Sequence, residues 1–247
     1  MNAPSLSVVV PAYNEERRLP PTLRRICEFL QTRGHSHEII VVDDGSSDRT
    51  AECAREATQG RARVVRNDSN RGKGFSVRRG MLLARGARRL MTDADLSTPI
   101  EELPRLWAQL DLGTDVCIGS RATAGAQVEV HQSWFRENTG RAFNLAVRLL
   151  AVRGISDTQC GFKLFSGPSA EAVFGLARLD GFSFDVEALF LARKLGYAIS
   201  EVPVVWRNDA ATRVTWARGA LAFIDLLRIR ATDLSGGYRR VSTAGSL

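Results

Sequence analysis

The 247-residue sequence has no paired cysteines: Cys27, Cys53, Cys117 and Cys160 are far apart, with neither a CxxC pair nor a cysteine–histidine cluster. That spacing argues against a zinc site or a disulfide framework and makes reduced thiols in the cytoplasm the default. No run approaches the roughly 20 apolar residues needed to span a bilayer, so any membrane association is expected to be peripheral, on the inner face. The one early apolar run, Leu6 to Val10, has no basic stretch before it and reads as a strand rather than a signal peptide. Internal repeats and low-complexity linkers are also missing. What remains is ordinary globular composition, 44% hydrophobic and 25% charged, long enough to bury a large core without covalent staples. Lys and Arg number 34 against 27 Asp and Glu, a net charge of +7. Nucleic acid, phosphorylated small molecules and anionic lipid all suit that sign.

Apolar periodicity orders the first 120 residues into alternating strands and helices. Leu6 to Val10 is a buried strand expected to stop at Pro11. Leu19, Leu23, Ile26, Cys27 and Leu30 predict a helix over 15–31, with Gly34 just past its end. Strands over 38–42, 63–66, 90–93 and 116–119 alternate with helices over 50–57, 73–89 and 100–110. This pattern predicts an α/β fold, a mostly parallel sheet covered by helices, whose ligands bind at the carboxyl ends of its strands.

Four polar clusters fall at those ends: Pro11-Ala-Tyr-Asn-Glu15, Asp43-Asp-Gly-Ser-Ser-Asp48, Asp93-Ala-Asp-Leu-Ser-Thr-Pro99 and Gly119-Ser-Arg121. Each alone is ordinary turn or N-cap chemistry. Together they place several carboxylates at one sheet edge, where they repel unless a cation lies among them. Asp93 and Asp95 suit a hard divalent ion bound through oxygen, Mg²⁺ or Mn²⁺. The plainer reading of these two is an N-cap for the helix after Pro99, a place that Ser97 or Thr98 could fill instead.

In order, VVVPAYNEE, VVDDGSSDRT, NRGKG, TDADLSTP, GSR and DTQCGFKLF resemble a family 2 glycosyltransferase of the GT-A fold. The nearest branch is the dolichyl- or polyprenyl-phosphate glucosyltransferases, with the mannosyltransferases next, and the likeness runs from Leu6 to Arg230. It implies one domain over 1–234, with a nucleotide half to about residue 121, an acceptor half after it, and a flexible tail over 235–247. It implies that Pro11, Tyr13 and Glu15, with Ala12 and Asn14 between them, hold the nucleotide. Asp44, beside Asp43, would read the base edge. Asn70, Gly72 and Lys73 match the loop that closes on the nucleotide, with Lys73 reaching phosphate. Asp93, Ala94 and Asp95 match the DxD that carries metal and diphosphate. Mannosyltransferase relatives have a metal-reaching glutamine where this sequence has Ser97.

The second half is less regular. Residues 123–132 read as a loop over the site, and 134–152 as an arginine-punctuated amphipathic helix lying on the core or at a membrane surface. Cys160 reads as a small packed residue. Asp157 and Gln159 face either the sugar or a helix end. Asp185 is either a first-turn carboxylate or, by the resemblance, the acceptor-side carboxylate, catalytic together with Asp95 and Arg121. Arg121, Arg136 and Arg213 match the family's basic positions for the acceptor phosphate. A helix is predicted over 221–230, and the membrane helices that many family members carry beyond it are not seen here, so stable bilayer anchoring is not expected.

The expected reaction is transfer of a hexose from a UDP-sugar, or next a GDP-sugar, to a polyprenyl phosphate with inversion. Glucose from UDP-glucose is favoured. The alternatives are transfer to a saccharide, protein or natural-product hydroxyl, and a non-enzymatic nucleic-acid-binding module. The carboxylate clusters argue against the last, because they would repel a phosphate backbone.

Overall fold

The computed structural model describes residues 3–128, 152, 154–207 and 216–239. Strand β1 (Leu6–Ala12), helix α1 (Leu19–Arg33), β2 (His37–Asp43), α2 (Thr50–Ala57), β3 (Arg63–Arg66), α3 (Lys73–Leu83) and β4 (Arg88–Met91) form the first half. A 3₁₀ turn (Ile100–Glu102), α4 (Leu103–Asp111), β5 (Val116–Ser120) and β6 (Gln127–Val128) follow. Then come β7 (Lys163–Ser166), α5 (Gly167–Leu176), α6 (Phe184–Lys194), β8 (Ile199–Pro203), β9 (Val205–Trp206) and α7 (Trp216–Leu234).

Seven strands form one sheet in the order β3-β2-β1-β4-β7-β5-β8, and β6 pairs with β9 beside it. Every pairing in the main sheet is parallel except those of β7, which runs antiparallel between β4 and β5. Side chains alternate across the sheet. Val9, Ile40, Val42, Met91, Ile118 and Phe165 meet Val77 and Met81 of α3, Phe174 of α5 and Leu189 of α6. Val8, Val10, Ile39, Val41, Leu90, Cys117 and Leu164 meet Leu23 and Ile26 of α1 and Leu106 of α4. Two buried layers therefore fix the register of each strand, since a one-residue slip would exchange them.

Several predicted boundaries move, each for a local reason. Strand β1 continues through Pro11 to Ala12. The Val9 carbonyl accepts from Thr92 N and the Ala12 carbonyl from Asp44 N, so alternation turns the Pro11 nitrogen toward β4, beyond the last β4 pair, Val9↔Met91. No ladder bond is lost there. Helix α1 starts at Leu19 rather than at Glu15, with proline in its first turn. The helix expected over 73–89 ends at Leu83, because Arg88 and Arg89 pair with β1 on one side and β7 on the other. The last helix is longer than predicted, and the chain after it does not fray at once: Ser235 to Arg239 forms a turn that buries Tyr238 to 3% exposure. Of the arginine-rich helix predicted over 134–152, residues 134–151 lie outside the described residues, and Val152 is buried in the core.

Candidate active site

The carboxyl ends of β1, β2, β4 and β5 meet at one edge of the sheet, and the antiparallel β7 begins at that same edge. Its register sets Lys163 beside Met91 and Ile118, two residues before Asp93 and three before Arg121. The clusters after β1 and β2 are stitched together. Asn14, at φ 54°, accepts from Ser47 N at its side-chain Oδ1 (2.9 Å) and donates its backbone N–H to Ser46 Oγ at 2.9 Å. Glu15 N donates to Thr50 Oγ1, and the Glu15 carboxylate takes Arg18. Tyr13 stands 45% exposed.

Asp43 and Asp44 are both buried but hold different loops. Asp43 accepts from Ser46 N at 3.0 Å and from the Ser46 hydroxyl, with Arg66 Nε 3.4 Å from its other oxygen. Asp44 accepts from Asn67 Nδ2 (2.7 Å), Arg71 N (3.0 Å) and Gly72 N (2.8 Å). It thereby anchors the turn that carries exposed Asn70 and half-buried Gly72 and Lys73. Only glycine fits at 72, where φ is +103° and a Cβ would lie 2.3 Å from the Asp180 carbonyl oxygen.

Lys73, opening α3, reaches across to Asp93, with Nζ 2.6 Å from Oδ1. Burial alone would lower this lysine, but the charges of Asp93, Asp185 and Asp95 outweigh it and hold the ammonium up at about 12. Asp93 Oδ1 is buried and has no hydrogen-bond partner among the described residues besides that ammonium contact. Its Oδ2 fills the space over Gly161, where a Cβ would come within 2.0 Å, which explains a glycine in the QCGFK string. Ala94 is buried, and its carbonyl accepts from Thr22 Oγ1 at 2.8 Å, which pins the DxD turn to α1. Asp95 Oδ1 accepts from Ser97 N at 3.0 Å.

Neither Ser97 nor Thr98 caps the following 3₁₀ turn. Pro99 holds the cap position with no side-chain cap, and the Thr98 hydroxyl lies instead 3.6 Å from Cys160 Sγ. The described residues contain no group of three His, Cys, Asp or Glu able to hold a metal. Two carboxylates nonetheless fit Mg²⁺ or Mn²⁺, whose remaining positions are commonly filled by water and substrate phosphate.

Arg121 follows β5 and is gripped by Asp157. Its Nε and Nη2 reach the two carboxylate oxygens at 2.6 and 2.9 Å, its backbone N donates at 2.9 Å, and its guanidinium lies 5.3 Å from the Trp206 ring centre. Behind it, Glu201 of β8 accepts from Ser156 N and Asp157 N. Burial would raise the Asp157 carboxyl, but the hydrogen bonds and charge of Arg121 outweigh it and hold the group below its ordinary range. Bidentate pairing of this kind fixes a guanidinium plane as well as a charge.

Asp185, in the first turn of α6, points inward to Lys163: Nζ lies 2.5 Å from Oδ1, and both side chains are buried. Burial pushes the Asp185 carboxyl up, against the pull of Lys163 and Lys73. Lys163 also donates to the Cys160 carbonyl, and Cys160 packs in the core, as expected of a small buried residue. Pro11 to Glu15, Asp43, Asp44, Asn70 to Lys73, Asp93 to Asp95, Arg121 and Asp185 thus border one region, whereas Arg136 and Arg213 lie outside the described residues. Sequence reasoning passed over Lys163 and the grip of Asp157 on Arg121. A signal for the first was present: the chain has three lysines, Lys73, Lys163 and Lys194, among many arginines, and one of them sits in an apolar strand.

A mixed, mostly parallel sheet with metal-compatible carboxylates and basic groups at its carboxyl edge is the frame of a sugar-nucleotide transferase. The profile described as Glycosyl transferase family 2 matches residues 7–166, and the chain belongs to that family. It is 40% identical over 254 residues to a dolichyl-phosphate beta-glucosyltransferase of Drosophila melanogaster, covering 96% of this chain and 78% of the relative. It is 36% identical over 255 residues to the Homo sapiens protein of the same name (96% and 78% covered) and 34% identical to that of Saccharomyces cerevisiae (95% and 76%). Among solved structures, Mycobacterium tuberculosis glucosyl-3-phosphoglycerate synthase matches with TM-score 0.68 and 23% identity, covering 98% of this chain and 84% of that one. The same enzyme in complex with Mn²⁺, UDP-glucose and phosphoglyceric acid matches with TM-score 0.69 and 23% identity, covering 98% and 83%. These neighbours share the GT-A fold. Among the described residues no helix is long and apolar enough to cross a membrane.

Proposed function

We propose that this protein transfers glucose from UDP-glucose to a polyprenyl or dolichyl phosphate, with inversion at the anomeric carbon. The observation that carries the reading is the meeting, at one sheet edge, of a carboxylate pair fit for a cation and an arginine fixed by a buried aspartate. The shared name of the relatives supports the lipid phosphate as acceptor and glucose as the sugar.

In this reading Tyr13, Glu15 and the loops held by Asp43 and Asp44 take the nucleoside. Asp44 shapes that pocket through the amides of Arg71 and Gly72. Asp93 and Asp95 would hold Mg²⁺ or Mn²⁺, which when bound neutralises charge on the diphosphate. Lys73 places a second positive charge at the same phosphates, where charge grows as the bond to the sugar breaks. Arg121 presents a fixed guanidinium to the acceptor phosphate, with Arg136 and Arg213 as further basic groups. That acceptor is anionic near neutral pH, so no general base is needed. Asp185 acts through Lys163 and Lys73, keeping positive charge at the junction of donor and acceptor. The half up to about residue 121 then serves mainly the donor, with Arg121 at its end turned to the acceptor, 122–234 supplies most of the acceptor side, and the protein works while held peripherally at the cytoplasmic face of a membrane.

The test is a matrix of UDP-glucose, UDP-galactose and GDP-mannose against a short polyprenyl phosphate, the matching polyprenol and a simple saccharide. Glucosylation of the phosphate alone, from UDP-glucose, is expected. A neutral hydroxyl that outcompetes every phosphate would overturn the acceptor, and preference for GDP-mannose would overturn the donor.

A further inference from the structure

Glu187 is fully buried two residues after Asp185, yet nothing in the reaction above uses it. No basic side chain pairs with it among the contacts described. Its carboxylate accepts from Arg178 N at 3.0 Å, from Leu179 N at 2.8 Å and from the Tyr238 hydroxyl at 2.6 Å. Tyr238 comes from the turn after α7, and the Gly237 carbonyl of that turn accepts from Arg178 Nη2 at 2.6 Å. The buried charge therefore ties the end of the described chain to the loop before α6.

That loop is the backing of the Lys73 turn. The Asp180 carbonyl accepts from Phe75 N at 3.2 Å, and the Asp180 carboxylate pairs with Arg78 at 2.7 Å. A Cβ at Gly74 would lie 2.4 Å from the Leu179 carbonyl oxygen, so turn and loop touch backbone to backbone. Asp44 holds the turn from one side and residues 178–181 hold it from the other, and Lys73 reaches Asp93 from between them.

We propose that Tyr238 and Glu187 are positioning residues for the donor site: they fix the 178–181 loop, which fixes the Gly72–Gly74 turn and the Lys73 ammonium. The inference rests on the reading of that site as a nucleotide-sugar site. A buried carboxylate deprived of one of its donors keeps its desolvation cost, so a change at Tyr238 should be felt along the loop.

The experiment compares wild type, Tyr238→Phe and Glu187→Gln, with Tyr197→Phe as a remote phenol control on the exposed contact to Pro168. UDP with Mn²⁺ is titrated calorimetrically, KM and kcat are measured for both substrates, and amide exchange is followed at Gly72 and Phe75. Tyr238→Phe is expected to bind UDP about three- to tenfold more weakly and to exchange both amides faster. Its KM for polyprenyl phosphate should stay within about twofold, and Tyr197→Phe should match wild type. UDP affinity and amide protection equal to wild type in Tyr238→Phe would overturn the proposal, as would equal losses for donor and acceptor. If wild type itself binds no UDP, the reading of the site fails instead, and the exchange data alone decide whether Tyr238 positions the turn.

Discussion

On the donor side Asp93 and Asp95 stand partly exposed with few partners, whereas on the far side Asp157 and Asp185 are buried and engaged. Asp93 has one lysine and Asp95 one backbone amide. Asp157 takes three donors from Arg121 and a fourth from Gln159 N, and Asp185 closes on Lys163. The difference teaches which charges are ready for a ligand. Carboxylates left short of partners at a sheet edge attract a cation, whereas carboxylates already neutralised hold basic groups in place.

The largest expected effect comes from breaking the closed side. Lys163→Met leaves Asp185 buried without its partner and should destabilise the fold by about 3–5 kcal/mol in urea titration. Replacing both, as Lys163→Met with Asp185→Leu, should restore most of that loss, because the desolvated charge goes too. A single variant as stable as wild type would mean that the pair is not a structural charge balance.

Opening the comparison from the donor side should do the reverse: little change in stability and a large change in rate. Asp95→Ala is expected to lower kcat by on the order of 10²–10³ while its melting temperature stays near that of wild type. A large loss of stability would make Asp95 a structural turn residue.

Much of this contrast was legible in the sequence, and unevenly so. The donor half was readable because parallel strands buried on both faces, such as Val8-Val-Val10 and Ile39-Ile-Val-Val42, announce themselves as apolar runs followed at once by polar clusters. There β1, β2 and β3 are neighbours in the sheet as in the sequence, and β4 lies on the other side of β1. The far side was not readable in the same way. Strand β7 enters antiparallel between β4 and β5, so Lys163 reaches the site at the start of its strand rather than at the end. The partners Arg121 and Asp157, or Glu187 and Tyr238, are joined by tertiary contact alone, and no local period marks them. Tyr238 was hidden by the small polar residues around it, which read as a tail.

A smaller effect sharpens the closed side. Asp157→Asn keeps the shape but loses the charge that grips Arg121, and should cost about 1–2 kcal/mol of stability and raise KM for the lipid phosphate more than for the donor. The same group predicts a pH dependence. Asp157 is held below its ordinary value of 3.8, so it binds protons less readily folded than unfolded. Its stabilisation is therefore complete above that value and is lost as pH falls through the lower, folded value. Melting temperature should drop more steeply below pH 3.8 in wild type than in Asp157→Asn. Parallel curves would show that the aspartate is not tuned by Arg121.

The most direct test of the open donor side is calorimetric titration of UDP into wild type and Asp95→Ala, each with Mn²⁺ and with EDTA. Tight binding only in wild type with Mn²⁺, and weak binding in the other three cases, is the expected result. Equal affinity in all four would contradict the assignment of Asp93 and Asp95 as the cation-holding pair.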